Sequence, residues 1–332
     1  MLVVVGEAHV ALEHETRFLD IDVELLGEFP HGAVLELRRH QYAAAGFGGV
    51  RESGFGREGG WEGLLAYLKP AGKTKALPQI KAQPAPAKPE VSGIDRTAKL
   101  FIGGKQARPD GGYSRAVVSG RGKLLGQVGL GNRKDIRNAV EAAQAAKGWA
   151  RTTGHLRAQI LYFIAENLAI RADEFALRLD AMQGGKSGAK EVEAAVQSLF
   201  TYAAWADKYD GKIHGVPIRG VALAMKEPVG VIAALCPATA PLLGMVAVMA
   251  PAIAMGNRIV LSASQPFPLA ATDFAQILET SDVPAGVVNI LTGPQADLAP
   301  HLGAPIELET VWCLSGALLT AAVHARASST IK

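Results

Sequence analysis

Cysteine is the strongest nucleophile among the side chains, and this sequence has two, Cys236 and Cys313. A thiolate attacks a carbonyl carbon when an electropositive, partly exposed setting lowers its pKa. Both cysteines lie instead inside apolar runs, VGVIAALCP and TVWCL, which predicts inert core thiols. His155, His214, His301 and His324 are scattered without metal-ligand spacing, so no metal site is expected. Gly184, Gly185, Lys186 and Ser187 end like a phosphate-binding loop. The required first glycine would be residue 180, which is Asp180, and a helix precedes the run where a strand is needed. That leaves LCPATAPL, residues 235–242, where an apolar strand gives way to an apolar helix. A turn in that place can bind a nucleotide, build an oxyanion site, or merely redirect the chain.

Such residues need a scaffold, and composition says which kind. The 332 residues are 49% apolar and only 6% aromatic, with much Ala and Gly, a balance suited to helices packed closely on a sheet. An α/β fold is expected. The formal charge is +3, and Lys69, Lys73, Lys75, Lys81 and Lys88 against Glu90 more than account for it. No basic face is left for nucleic acid. Two cysteines in apolar runs suit a reducing compartment, so the chain is read as cytoplasmic. The apolar run at residues 1–5 is too short for a signal peptide. Residues 228–257 carry no charged side chain, which is length enough for a membrane helix. Pro237, Pro241 and Pro251 would break it, so strand, turn and buried helix are expected there, and no membrane contact.

From Pro70 to Glu90 periodicity is lost, and Pro78, Pro84, Pro86 and Pro89 gather among Ala and Lys. That is an extended connector. Beyond it, KLFIGG, the turn RPDGGYS and the run RAVVSGRGKLLGQVGLG alternate between glycines, which predicts a hairpin or small sheet. Asn132 followed by Asp135 marks the start of a helix over about 133–149. Two more amphipathic helices carry Leu156, Ile160, Ile164 and Leu168, then Val192, Val196 and Leu199. After Gly211 come the strands KIHGVPI, VALAMKEP and the buried VGVIAALC. A helix over about 242–255, the strand RIVLSAS, a helix over about 270–280 and the strand GVVNILTG follow. The last strand and helix share TVWCLSGALLTAAVHARA. Strand, helix, strand, helix, strand, strand, helix is the rhythm of a doubly wound parallel sheet, whose ligands sit at the carboxyl ends of its strands. Residues 236–241, 262–265, 292–295 and 315–318 fall at such ends.

KEPVGVIAALCP, APAIAMGNRIVLSAS and VPAGVVNILTG resemble, in order and spacing, the cofactor-binding half of the aldehyde dehydrogenase superfamily. YAAWADKYDGKIHGVPI is similar to the family's amino-terminal part, and the likeness covers about residues 99–329. AGFGGVRESGFGREGGWEGLLAYLKP resembles the family's carboxyl-terminal tail. A tail ahead of a beginning resembles family sixteen, whose chains join one module to a second, degenerate one. The implied domains are 1–40, which matches nothing; 41–70, the tail of a preceding module; 71–92, the linker; and 93–332, a cofactor-binding module without a catalytic domain. The resemblance implies a Rossmann-like sheet, an amino-terminal helical part and a β-hairpin arm, around Phe101–Val128 and Lys212–Lys226, that builds oligomers.

Oxidation of this kind needs a thiolate, an oxyanion donor, a carboxylate to activate water, and a nicotinamide ring. In the family the oxyanion donor is the Asn of a Pro-Trp-Asn-Phe-Pro turn, and Pro237, Ala238, Thr239, Ala240 and Pro241 stand there. A threonine hydroxyl is shorter than an amide, so Thr239 is read as part of a structural turn. The family's ribose-holding Lys-Pro-Ser-Glu run corresponds to Ser262, Ala263, Ser264 and Gln265. Losing each charge-assisted partner there costs about 1.5–3 kcal/mol. The glycine-rich helix start corresponds to Gly316, Ala317, Leu318, Leu319, Thr320 and Ala321, whose backbone amides can still meet an anion. By resemblance the cofactor set is Pro237, Thr239, Ser262, Ser264, Gly293 and Gly316, for NAD bound weakly or not at all. The family's catalytic Cys and Glu are expected beyond residue 332. The sequence therefore predicts a pseudo-enzyme that packs on an aldehyde dehydrogenase catalytic module or on a second copy of itself. The alternative is NAD(P)-dependent oxidation of an aldehyde to a carboxylic acid with a complementing domain. The isolated chain is expected to self-associate, and a strictly monomeric mass at micromolar concentration would speak against it.

Overall fold

A computed structural model describes residues 2–5, 56–57, 59–68, 95–209, 211–215 and 221–327. The expected linker at 71–92 and most of 1–40 lie outside these residues. In chain order come strand β1 (Leu2–Val5), the short helix α1 (Gly60–Leu64), and strands β2 (Leu100–Ile102), β3 (Lys105–Ala107), β4 (Ser114–Val118) and β5 (Leu124–Gly129). Four helices follow: α2 (Arg133–Ala145), α3 (Gly154–Ile170), α4 (Ala172–Gln183) and α5 (Gly188–Ala206). After β6 (Lys212–His214) and β7 (Val221–Ala224), strands and helices alternate. They are β8 (Val231–Leu235), α6 (Pro241–Ala254), β9 (Arg258–Ser262), α7 (Leu269–Glu279), β10 (Val288–Leu291), α8 (Gln295–Gly303), β11 (Thr310–Cys313) and α9 (Ala317–Ala327).

The chain forms two compact units. The larger, Lys75–Lys208 with Pro228–Thr330, is built on a six-stranded sheet of order β11-β8-β9-β10-β2-β3. Strands β11, β8, β9 and β10 run parallel, and the β2–β3 hairpin extends the sheet antiparallel. Period-two alternation splits β8, β9 and β10 between two apolar layers. Val231, Ala233 and Leu235 of β8 pack with Ile136 and Val140 of α2 and Leu298 and Leu302 of α8. Ile232 and Ala234 face the other way, with Met249 and Ile253 of α6, Phe274 of α7 and Leu161 of α3. Strands buried on both faces need no polar residue in alternation, which is why their sequences read as continuous apolar runs. Asn132 starts α2 as expected: its side chain accepts from the amides of Lys134 and Asp135, while Asp135 accepts from the amide of Asn132 at 2.9 Å.

Three expectations need correction. A helix, α8, separates β10 from β11, where the sequence suggested strand following strand. Pro294 and Pro300 hide it, yet β11 pairs with β8 and not with β10, so the chain must cross back over the sheet, and a parallel crossover needs a covering element. The helical part has four helices, not three, because α4 starts directly after Arg171. Finally, Phe101 is not in a projecting arm. It is buried in the sheet opposite Ile290, and only β4 and β5 form a separate two-stranded sheet.

The smaller unit, Met1–Thr74 with Tyr209–Glu227, has a three-stranded antiparallel sheet of order β1-β7-β6. Strand β1 at residues 2–5 was not expected from the sequence pattern. Helix α1, from the tail-like segment, belongs to this unit, and its Glu62 approaches Lys226 at 3.8 Å and Lys212 at 4.0 Å. Among the described residues no helix is long and apolar enough to cross a membrane.

Candidate functional site

In the larger unit the chain progresses from β8 through β9 to β10, then returns so that β11 lies on the far side of β8. That reversal is a topological switch point at the carboxyl ends of β8 and β11, the position where sheets of this kind take ligands in a crevice. The six residues singled out for a cofactor all come to this end of the sheet: Pro237 and Thr239 after β8, Ser262 and Ser264 at and after β9, Gly293 after β10, Gly316 after β11. The carbonyl of Ser262 accepts from the amide of Cys236 at 2.9 Å, and the amide of Leu314 donates to Leu235 at 3.0 Å. These bonds align the strand ends.

The turn after β8 is tightly built. Ala240 has φ +49°, uncommon for a residue with a Cβ, and Pro241 follows at the first position of α6, where its missing N–H costs nothing. A Cβ on Gly244 would stand 2.5 Å from the Pro237 ring, so only glycine lets that ring lie against the helix. Thr239 at the tip is exposed, whereas Ser262 and Ser264 are sealed. Gly316 is buried with φ +110°, a conformation that excludes residues with a Cβ.

The protein's own side chains bond the backbone at this end of the sheet: Gln265, Gln295 and Ser315 come from the strand-end runs already singled out, whereas Glu191 was not among them. Gln295, fully buried, donates through Nε2 to the carbonyls of Cys236 at 2.8 Å and Ala263 at 3.1 Å. Ser315 donates through Oγ to the Cys236 carbonyl at 2.7 Å. Gln265 accepts from the Gln295 amide at 2.9 Å, taking the first N–H of α8. Glu191 of α5 accepts from the amides of Leu242 and Leu243 at 2.8 and 3.2 Å. Its carboxylate thus occupies the positive end of α6, directly behind the LCPATAPL turn. A signal for Glu191 existed: it shares a face with Ala195 and Leu199, a charge on an apolar stripe. For Gln295 the only signal was its place in the strand-end run 292–295, because its partners come from two other strands.

The Cys236 thiol is fully buried, and loss of solvent pushes its pKa up to about 12. It is no nucleophile at neutral pH. Cys313 differs from expectation, since it is half-buried on the edge strand β11 and not in the core. Among the described residues no cluster of His, Cys, Asp and Glu could hold a metal.

Residues 109–332 match the aldehyde dehydrogenase family. The chain belongs to that family. Mitochondrial aldehyde dehydrogenase of Rattus norvegicus is 35% identical over 195 residues, covering 56% of this chain and 36% of that protein. Retinaldehyde dehydrogenase 3 of the same organism is 30% identical over 254 residues, 74% of this chain and 47% of the relative. A point mutant of betaine aldehyde dehydrogenase from Staphylococcus aureus, solved in complex with NAD+, superposes with a TM-score of 0.62 at 23% identity. It shares 65% of this chain and 45% of its own, a likeness of fold. This chain of the aldehyde dehydrogenase family spans less than half the length of these curated relatives.

Proposed function

We propose that the chain is a non-catalytic module of an NAD-dependent aldehyde dehydrogenase, resembling the junction and second module of family sixteen, and that it packs on a catalytic module or on a second copy of itself. The observation that carries this reading is that backbone groups at the ligand end of the sheet are bonded by the chain's own side chains. Gln295 and Ser315 bond the carbonyls at the ends of β8 and β9, and Gln265 and Glu191 cap the helices that would otherwise present free amides.

The betaine aldehyde dehydrogenase relative holds NAD+, so the residues of this chain can be tested for that cofactor. A ribose diol is best held by a carboxylate acceptor and a cation. Gln265 is an amide already committed to α8, and the hydroxyls of Ser262 and Ser264 are shut away from solvent. The residues do not fit a nicotinamide dinucleotide held through its ribose. Buried Cys236 gives no nucleophile in the crevice, and exposed Thr239 is a poor match for an amide donor to an oxyanion.

The second reading, aldehyde oxidation with a complementing catalytic domain, draws support from Gly316, which keeps a glycine-only conformation ahead of α9, where amides can meet an anion. Titration of the purified chain with NADH separates the two, with half-exposed Trp312 of β11 as the energy donor. The module reading expects no saturable transfer up to millimolar cofactor. Saturation in the micromolar range would overturn it in favour of a complemented enzyme.

A further inference from the structure

Helix α3 buries Ala158, Ile160, Leu161, Ile164, Ala165 and Leu168 against the rest of the larger unit. A surface helix that covers a core in this way ordinarily turns a polar face to water. The outer face of α3 is apolar along one line. Leu156, Phe163 and Ile170 are 42%, 44% and 81% exposed, and they follow one another at intervals of seven residues. Seven residues turn an α-helix through about 700°, which leaves only ~20° between successive members. Single exposed apolar residues are common on any surface. A row at heptad spacing that runs the length of the helix is the pattern by which one helix packs along another.

The polar residues of the row say what the other helix is. Gln159 and Glu166, both exposed, follow Leu156 and Phe163 by three positions and complete a heptad stripe. The row is symmetric about Phe163. Laid antiparallel on a second α3, Leu156 meets the copy's Ile170, Phe163 meets its own counterpart, and Gln159 comes beside the copy's Glu166, where the amide can donate to the carboxylate. A parallel copy would instead set Glu166 against Glu166. The flanks are polarised in the same sense. Exposed Lys147 and Arg151 precede α3, whereas at its carboxyl end exposed Asp173 and Glu193 line a shallow apolar groove with Ala169. None of these four makes an ion pair among the described residues. Of the charges beside them, Lys208 is paired with Asp207 and Arg171 with Glu174. An antiparallel copy therefore brings each basic end to an acidic one.

We propose that the outer face of α3 is a self-association surface, on which two copies of the chain pair antiparallel through Leu156, Phe163 and Ile170 with the two-fold axis beside Phe163. Such a contact is isologous and closes as a dimer. The proposal rests on the reading of the chain as a module that packs on a second copy of itself, and it places that contact on a helix and not on the β-hairpin arm.

Sedimentation equilibrium of the whole chain tests it. A monomer–dimer equilibrium in the micromolar range is expected, and Phe163→Lys, which sets two cations together at the axis, should weaken it by about tenfold or more. Arg151→Glu and Asp173→Arg should each weaken it by about threefold, and the double variant should recover most of the loss, because antiparallel pairing joins the two positions across the interface. A strictly monomeric mass up to about 100 micromolar overturns the proposal, as does a dimer indifferent to Phe163→Lys, or a double variant whose losses simply add. Should Phe163→Lys fail to fold, as judged by circular dichroism, Ile170→Lys takes its place at the most exposed member of the row, with the same expected loss and the same contrary result. Saturable NADH binding would sink the module reading whatever the mass. A monomer that binds no NADH would sink the α3 contact alone and leave a module that packs on a catalytic domain.

Discussion

The two ends of the same parallel strands are finished differently. At the amino-terminal end, Glu309 accepts from the amide of Val231 at 2.6 Å, and Asn257 accepts from Gly230 at 3.0 Å while donating to Ala252. Asn289 accepts from Gly103 at 2.9 Å and donates to Gly286 at 2.8 Å. None of these side chains is among the buried atoms left without a partner in the described residues. At the carboxyl-terminal end Gln295, Gln265, Ser315 and Glu191 tie backbone groups just as firmly, yet Ser262, Ser264 and Gln295 keep sealed atoms with nothing to bond. Stability accounts for the first end completely. It does not account for the second, which in an open α/β sheet is the end where ligands bind.

Three substitutions put that contrast at risk. Asn257→Leu at the amino-terminal end strands the buried amide of Gly230, while the Ala252 carbonyl keeps the backbone N–H of residue 257, and should cost about 3 kcal/mol in urea unfolding. A loss below about 1 kcal/mol would mean that water replaces the side chain and that this end is not dry. Glu191→Ala at the other end removes the acceptor for Leu242 and Leu243 and should cost about 2 kcal/mol. An unchanged midpoint would show that α6 starts without it, and that its amides are open to a ligand after all. Ser262→Ala has the smallest expected effect and the opposite sign. Deleting a sealed, unpartnered hydroxyl should leave stability unchanged or raise it by up to about 1 kcal/mol. A clear loss of stability would reveal a partner for that hydroxyl and erase the difference between the two ends.

Much of the scaffold was legible because it rests on local pattern. The apolar runs around Ile232, Val260 and Ile290 declare strands buried on both faces, and Asn132 with Asp135 declares a helix start. Where local signals conflict, the reading failed. The sequence pattern left 295–303 without an element, and only the pairing of β11 with β8 requires a helix there. Phe101 and Ile102 carried a strand signal that says nothing about which sheet they join.

The site divides along the same line. By resemblance to the family's motifs, residue identities alone led to the expectation that Ser262, Gln265 and Thr239 stand where a cation, an acid and an amide would be. The bonds these side chains make did not follow. Arg115, Glu191, Gln265 and Gln295 act on backbone groups between 30 and 150 residues away in sequence. A hydrogen bond depends on separations of a few ångströms that only the folded chain creates. Sequence determined which residues stand at the strand ends, and tertiary structure alone decided which backbone groups their side chains meet, because those partners lie on other strands and come within bonding distance only when the sheet forms.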